Sequence, residues 1–556
     1  MPEYLSPGVY VEEFEIGAKP MEGVSTSTAG FLGECERGPT RPHLITSWLQ
    51  YQRVYGSYFG ETKYLPGAVD GFFKNGGQRC YIGRIVKAGK DPATNASLKL
   101  KANGRNALTI EAVGEGNWGS RVAVKLSKGT FDGFKMSVFY WKEMPSSLYD
   151  PFIEPKVQPR PTTTEVFDNI SVNEESPDYF EKTINGISSL IMISKKEGDS
   201  GNLPDSLEAS SNVETKADEN PNVDEKTIKD DKNKNEDKQK VSVKATEGTI
   251  TIKYLEGGSD GGTIGLSDYE RSSPEEDKPG KRRGMTAFNA IDDISIVYAP
   301  NAYAIPGLVG SLISNCENLK DRFAIIDAEQ GFSNVSGLNP RSDTPTEYAA
   351  FYYPWIKVIN PESGLLRPVP PGGYVAGIYA RSDNERGIHK APANEVVRGA
   401  SDLEFQITKG EQDVLNPRGV NVIRAFPGRG ICVWGARTLS SNTLWKYINV
   451  RRLFIFVESS IEQGTQWVVF EPNDEKLWAR VRATITQFLT GLWRDGALMG
   501  TTAEEAFFVK CDRSTMTQDD IDNGRLICII GIAPVKPAEF VIFRIAQWQG
   551  GSTATE

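Results

Sequence analysis

The chain has 556 residues, too many for one hydrophobic core, so two to four domains are expected. Hydrophobic residues make up 39% and charged residues 24%, and no apolar run reaches the roughly 18 residues that a membrane span needs. A net charge of -10 argues against a nucleic-acid binder, and having only two histidines, His43 and His389, argues against hydrolytic or zinc chemistry.

The chain opens "MPEYLSPGVYVEEFEIG". Ser6, Pro7 and Gly8 signal a turn, and 9–14, with Val9, Tyr10, Val11 and Phe14, reads as a strand. Residues 17–28 are small and polar, so no hairpin mate follows, although a strand's N–H and C=O groups need partners. No basic stretch precedes an apolar one, so no Sec leader is expected. Residues 30–86 read as mixed α/β. "AGFLGECERGP" starts as a buried strand, and "SWLQYQRVYGSY" has helical spacing through Trp48, Tyr51 and Tyr55. Residues 65–73 form a helix stopped by "NGG", and "QRCYIGRIV" is a strand.

From 87 to 284 the character turns β-rich. "NALTIEAVGEGNWGSRVAVKLS" and "KMSVFYW" alternate like antiparallel strands, while 198–240 is charged and almost free of aromatics. Such a stretch buries too little apolar surface to offset its ordering entropy, so an outward, disordered loop is expected. The α/β pattern returns at 285. "DISIVYAP" and "RFAIIDA" are buried strands flanking a helix at 308–319, and "AAFYYPWIKVIN" reads as one strand. "VNVIRAFPGRGICVWGARTL" is a strand pair around a Pro-Gly turn. "WKYINVRRLFIFVESSI" and "DEKLWARVRATITQFLTGLWRDG" are long helices. The second puts Leu477, Val481, Ile485, Phe488 and Leu492 on one stripe and leaves Lys476, Arg480 and Gln487 elsewhere, with Arg482 nearby. The closing "GRLICIIGIAPVKPAEFVIFRIAQ" holds two strands separated by Pro534 and Pro537. The second strand carries Phe540, Val541, Ile542, Phe543 and Ile545.

Short motifs carry little chemistry. "GEGNWG" fits a dinucleotide fingerprint but precedes a strand-like "SRVAVKL", so it reads as a hairpin turn. "GGSDG" resembles a nucleophile elbow at Ser259, yet no helix follows and His389 is the one downstream histidine. "DKNKN" lacks the glycine and closing glutamate of a calcium loop, and "GKRRG" is a short surface patch. The six cysteines form no CxxC pair and read as buried, reduced thiols. No catalytic residue, cofactor or metal is expected. The informative stretch is "PPGGYVAGIYARSDNERGIHKAPAN", a helix with small residues at Gly373, Ala376, Gly377 and Ala380 that permit close packing. By its residues alone it is a tight structural junction or a ligand loop.

The chain resembles the sheath proteins of contractile phage tails and related contractile injection systems. "YLSPGVYVEE", "GFFKNGGQRCYIGRI", "PPGGYVAGIYARSDNERGIHKAPAN", "NPRGVNVIRAFPGRGICVWGARTL", "NVRRLFIFVESSI" and "APVKPAEFVIFRI" follow in that family's order. The resemblance implies a multidomain α+β and α/β fold. Its core would come from 30–86 and 285–420, with a β-rich insertion at 87–284, a C-terminal sheath domain at 421–538, and strand-exchanging arms at 1–29 and 539–556. Gly373, Gly377, Arg381, Asp383, Gly387, Lys390 and Pro392 carry the family motif. The implied function is that of a structural subunit, not an enzyme. It stacks as hexameric rings around an inner tube, meets baseplate and tail terminator or cap proteins, and contracts from a metastable extended state. Lys476, Arg480 and Arg482 would face the tube. Synthesis in a bacterial cytoplasm and residence in a phage tail or tail-like particle follow, with no nucleic acid and no membrane insertion. A static, baseplate-proximal component of the same fold is the alternative, and a hydrolase using Ser259 a remoter one.

Overall fold

The computed structural model of the chain describes residues 21–131, 133–196, 198–208, 252–271, 278 and 280–545. The N-terminal strand with Val9, Tyr10, Val11 and Phe14, the "DKNKN" stretch and most of the 198–240 loop lie outside these residues. A nine-stranded sheet forms the centre. Its order is Glu395–Val396, Gly430–Val433, Val420–Phe426, Ala349–Tyr353, Phe323–Asp327, Ile296–Tyr298, Ala29–Gly33, Cys80–Arg84 and His43–Ile45. The six strands from Val420–Phe426 to Cys80–Arg84 run parallel, and the rest are antiparallel additions at the edges. Parallel strands covered on both faces read as continuous apolar runs, and Ala29–Gly33, Phe323–Asp327 and Ala349–Tyr353 are buried throughout. Successive side chains point to opposite faces. Phe31 meets Phe72 at 5.3 Å on one side, while a Cβ at Gly30 would touch Phe288 on the other.

Two expectations are corrected within this sheet. "AAFYYPWIKVIN" is two strands, because Pro354 has no N–H to continue the ladder. The chain leaves the large sheet after Tyr353, and Ile356–Ile359 joins a separate sheet with Leu366–Val369 and Asp402–Leu403. A boundary at 420/421 falls at the start of Val420–Phe426, whose ladder with Ala349–Tyr353 keeps this strand and Gly430–Val433 in the central sheet.

Between Cys80–Arg84 and Ile296–Tyr298 lie two four-stranded antiparallel sheets that share a core of Leu100, Ile110, Trp118, Val124 and Met136. The "GEGNWG" hairpin reading is corrected here. Arg105–Ala112 and Val122–Lys128 belong to different sheets, and a 3-10 turn at Asn117–Arg121 carries the chain across while Trp118 fills the space between them. The start of the charged stretch also differs from a loop. Ser206–Glu208 pairs with Ser97–Ala102 and sets Leu207 opposite Leu100, where its buried side chain closes the core. Arg84 fastens this unit to the sheet by donating to Gly38 O at 2.9 Å and Glu115 O at 2.7 Å.

Helices Ile448–Gly464 and Glu475–Arg494 and the two-stranded sheet of Phe507–Lys510 with Ile529–Ile532 make a further core. In Glu475–Arg494 the buried stripe is Leu477, Trp478, Val481, Ile485 and Leu489. Phe488 and Leu492 are only half-buried at its flank.

Candidate assembly site

Gly372–Arg386 packs against Leu65–Lys74 at backbone distance. A Cβ at Gly373 would sit 2.5 Å from the Ala68 Cα, and one at Gly377 2.4 Å from the Phe72 carbonyl oxygen. The small residues therefore serve a helix crossing. Arg381 extends the junction, donating to Asn75 O at 3.2 Å and Val396 O at 2.9 Å and pairing with Glu395 at 3.3 Å. Lys390 reaches the other Glu395 oxygen at 3.0 Å and Ala393 O at 3.0 Å. Gly387 ends the helix at φ +90°, a left-handed conformation open to glycine, and Pro392 is buried just beyond.

Asp383 makes the longest reach. Its carboxylate takes both arms of Arg452, at 3.0 and 2.6 Å, with both side chains almost fully buried. Arg452 also donates to Thr26 O at 2.8 Å and lies 4.7 Å over the Tyr379 ring. One guanidinium thus ties the motif helix, the incoming chain and the Ile448–Gly464 helix together.

The C-terminal segment starts from this junction. Asn449 donates to His389 O at 2.8 Å and to Val535 O at 3.1 Å. Glu539 is then clamped. Arg437 binds it through two bonds of 2.7 and 2.8 Å, Asn416 donates at 2.9 Å, Tyr447 at 3.0 Å, and Lys446 lies 3.2 Å away. Burial opposes the carboxylate's charge, but these donors outweigh it and hold the pKa down to about 2. Immediately after the clamp, Phe540, Val541, Ile542, Phe543 and Ile545 are 69–95% exposed and form no strand with any of the described residues. Beside them runs a groove of 910 Å³ lined by Lys390, Lys409, Arg424, Trp434 and Tyr447 among others.

Phe507–Lys510 and Ile529–Ile532 form an antiparallel ladder with no third strand among the described residues. The Phe508 ring lies across Gly531 on its outer face and stays half-exposed. On Glu475–Arg494, Lys476 and Arg482 are exposed. Arg480 is exposed as well, and its guanidinium also stacks 4.5 Å over the Trp467 ring.

Ser259 lies in a bridge with Thr94, exchanging backbone bonds of 2.9 and 3.2 Å, and its hydroxyl accepts from Gly261 N at 3.1 Å. That is a turn-closing position, not a strand-to-helix elbow. Among the described residues no cluster of histidine, cysteine or carboxylate side chains is arranged to hold a metal, and no helix is long and apolar enough to cross a membrane. Sequence reasoning missed the Glu539 clamp and the Asp383–Arg452 pair. A lone Glu among prolines and a lone Arg in a helix carry no local signal of partners so far along the chain.

These features define a multidomain α/β protein built of buried joints, with an apolar segment at 540–545 that has no strand partner among the described residues. Residues 281–439 match the phage tail sheath protein central domain, and 440–547 match the phage tail sheath C-terminal domain. The tail sheath protein of Vibrio phage KVP40 is 24% identical over 254 residues, covering 45% of this chain and 36% of that protein. A putative prophage major tail sheath protein of Pseudomonas aeruginosa is 25% identical over 282 residues, covering 48% and 68%. The helical sheath of the anti-feeding prophage in its contracted state shares the fold, with a TM-score of 0.55 at 23% identity over 97% of this chain and 99% of that one. The chain belongs to the contractile tail sheath family.

Proposed function

We propose that this chain is a structural subunit that polymerises as a helical stack of hexameric rings around an inner tube and contracts from a metastable extended state, driving the tube through a target envelope. The observation that carries the reading is the exposed apolar segment from Phe540 to Ile545, rooted at Glu539. Such a segment is an aggregation liability in a monomer and a joint in a polymer. It adds as a strand to a neighbouring copy, with the free edges of Phe507–Lys510 and Ile529–Ile532 as acceptors, and Val9, Tyr10, Val11 and Phe14 provide a second donor. Head-to-tail contacts of this kind do not close, so they propagate. The energy is the difference between two subunit packings, roughly a few kcal/mol each summed over many subunits, so no nucleotide enters. Lys476, Arg480 and Arg482 supply a shallow, salt-sensitive tube contact that breaks when the sheath widens. Baseplate and terminator proteins cap the polymer. The particle is a phage tail or tail-like assembly made in a bacterial cytoplasm. Deleting 540–556 keeps the clamp and removes the donor. Negative-stain images of the deleted subunit should show dispersed particles where the full chain gives tubes or rings, and normal sheaths from the deleted chain would sink the reading.

A further inference from the structure

Cys511 and Cys528 are free, distant in sequence, and brought together at the end of the two-stranded sheet. The ladder pairs Phe507 with Ile532 and Lys510 with Ile529, so one more step sets Cys511 opposite Cys528. The pairing type follows from parity. Ala533 N–H donates to Ala506 O at 2.8 Å, which makes 506/533 a hydrogen-bonded position. Antiparallel ladders alternate, so 507/532, 509/530 and 511/528 are the non-hydrogen-bonded positions, where facing Cα atoms approach to about 4.5 Å. A disulfide spans Cα separations of roughly 4.4–6.8 Å. Cys511 shares the inner face with Phe507 and is buried, while Cys528 is half-exposed. The other four cysteines are buried.

We propose that Cys511 and Cys528 are a dithiol that closes to an intrachain disulfide, stapling the two strands, when the protein meets an oxidised low-molecular-weight thiol such as glutathione disulfide. The Cys528 thiolate, the accessible one, attacks one sulfur of that disulfide. A mixed disulfide forms on Cys528 and one thiolate leaves. The Cys511 thiolate then attacks the Cys528 sulfur, the intrachain S–S bond forms, and the second small thiolate leaves. Both cysteine protons end on the two released thiols, and two electrons pass from the cysteines to the oxidant. Burial raises both thiol pKa values, Cys528 to about 12, so exchange is slow at neutral pH. The dithiol therefore stays reduced during synthesis and closes on long exposure to an oxidising medium. The staple does not depend on the sheath reading. If this sheet accepts a neighbour's arm, as proposed above, the staple also fixes the acceptor's register.

The test uses the full chain, purified with reductant, then incubated with glutathione disulfide, quenched by alkylation and digested for mass spectrometry. The expected product is a Cys511–Cys528 linked peptide, with a loss of about 2 Da in the intact chain that a dithiol reductant reverses. Cys511→Ser should accumulate glutathione on Cys528 with no crosslink, and oxidation should raise Tm in the wild type but not in Cys528→Ser. A stable glutathione adduct on wild-type Cys528, or six thiols still free after prolonged oxidation, would overturn the proposal. Normal sheath assembly by a subunit lacking its arms would sink the functional reading and leave this one standing.

Discussion

Replacing Gly377 by alanine tests whether the motif helix is a joint. In an exposed helix interior this change gains up to about 1 kcal/mol, because alanine costs less backbone entropy than glycine. At Gly377 the added methyl would lie 2.4 Å from Phe72 O, 2.8 Å from Asn75 Cβ and 3.0 Å from Phe72 Cα. Two of these three atoms are backbone, and neither helix can retreat freely. Asn75 donates to Gly71 O at 2.9 Å and Arg398 O at 3.0 Å, accepts from Arg398 N at 2.8 Å, and its carbonyl holds Arg381. Overpacking a tight contact costs about 1–3 kcal/mol, and the fixed backbone puts this one at the upper end. The net loss should be about 2 kcal/mol, or roughly 4–8 °C in the Tm of the core. Gly310 is the internal control. It sits in Leu308–Leu319 with nothing within 4 Å of its added methyl, so Gly310→Ala should stabilise the same core by up to about 1 kcal/mol. Urea unfolding of monomeric protein measures both. Equal stability of the two variants would refute the claim that the crossing depends on glycine.

Arg452→Ala leaves the Asp383 carboxylate buried and unpaired, so a loss of about 3–5 kcal/mol is expected in urea unfolding; a loss below about 1 kcal/mol would show that the pair does not join the units. Asp327 is a fully buried carboxyl at the N-terminus of Gly372–Arg386, accepting from Tyr298 Oη at 2.5 Å and Gly372 N at 2.7 Å, and burial raises its pKa from 3.8 to about 7. Its folded-state pKa lies above the unfolded value, so stability is full below pH 3.8 and declines as pH climbs through 7. Asp327→Asn should match the wild type at pH 4 and exceed it at pH 8 by up to about 4 kcal/mol, which thermal melts across that range would detect; a constant difference would be against it. Glu539 has the opposite sign, because its pKa is depressed to about 2. The clamp holds above pH 4.5 and is lost as pH falls toward 2, and Glu539→Gln should give sheaths that fall apart at a salt concentration the wild type survives. Lys476→Glu with Arg482→Glu should cut the yield of tube-templated extended sheath and spare tube-free polymer; unchanged extended particles would remove this face from the tube contact.

What was legible in the sequence had a local period or a local stop. The stripe of Leu477, Val481 and Ile485, the glycine stop after Leu65–Lys74 and the apolar run of Phe323–Asp327 each lie within one window, and their elements stand where the pattern put them. The small residues on Gly372–Arg386 announced a close approach but not its partner. Pairings across long separations left no trace. Asp383 with Arg452, Glu539 with Arg437 and Cys511 with Cys528 are set by topology, and single residues do not encode distance. Leu207 was hidden differently. One apolar side chain in a charged stretch cannot change its average, yet one is enough to seal the edge of a core opposite Leu100.

The segment from Phe540 to Ile545 separates two properties that a strand pattern merges. A run of β-branched and aromatic residues states that a segment can pair as a strand and bury its side chains, and that is written in the chain. A ladder also needs an opposing edge, and none of the described residues supplies one to this segment. In the described structure it accordingly has strand-like composition, no strand and almost full exposure. The Glu539 clamp gives this exposure a direction. Four hydrogen bonds and the Lys446 ammonium hold the carboxylate, so the chain is anchored up to that residue before any neighbour arrives. A partner that pairs with 540–545 then has six residues to fix, at about 1–2 kcal/mol of backbone entropy each.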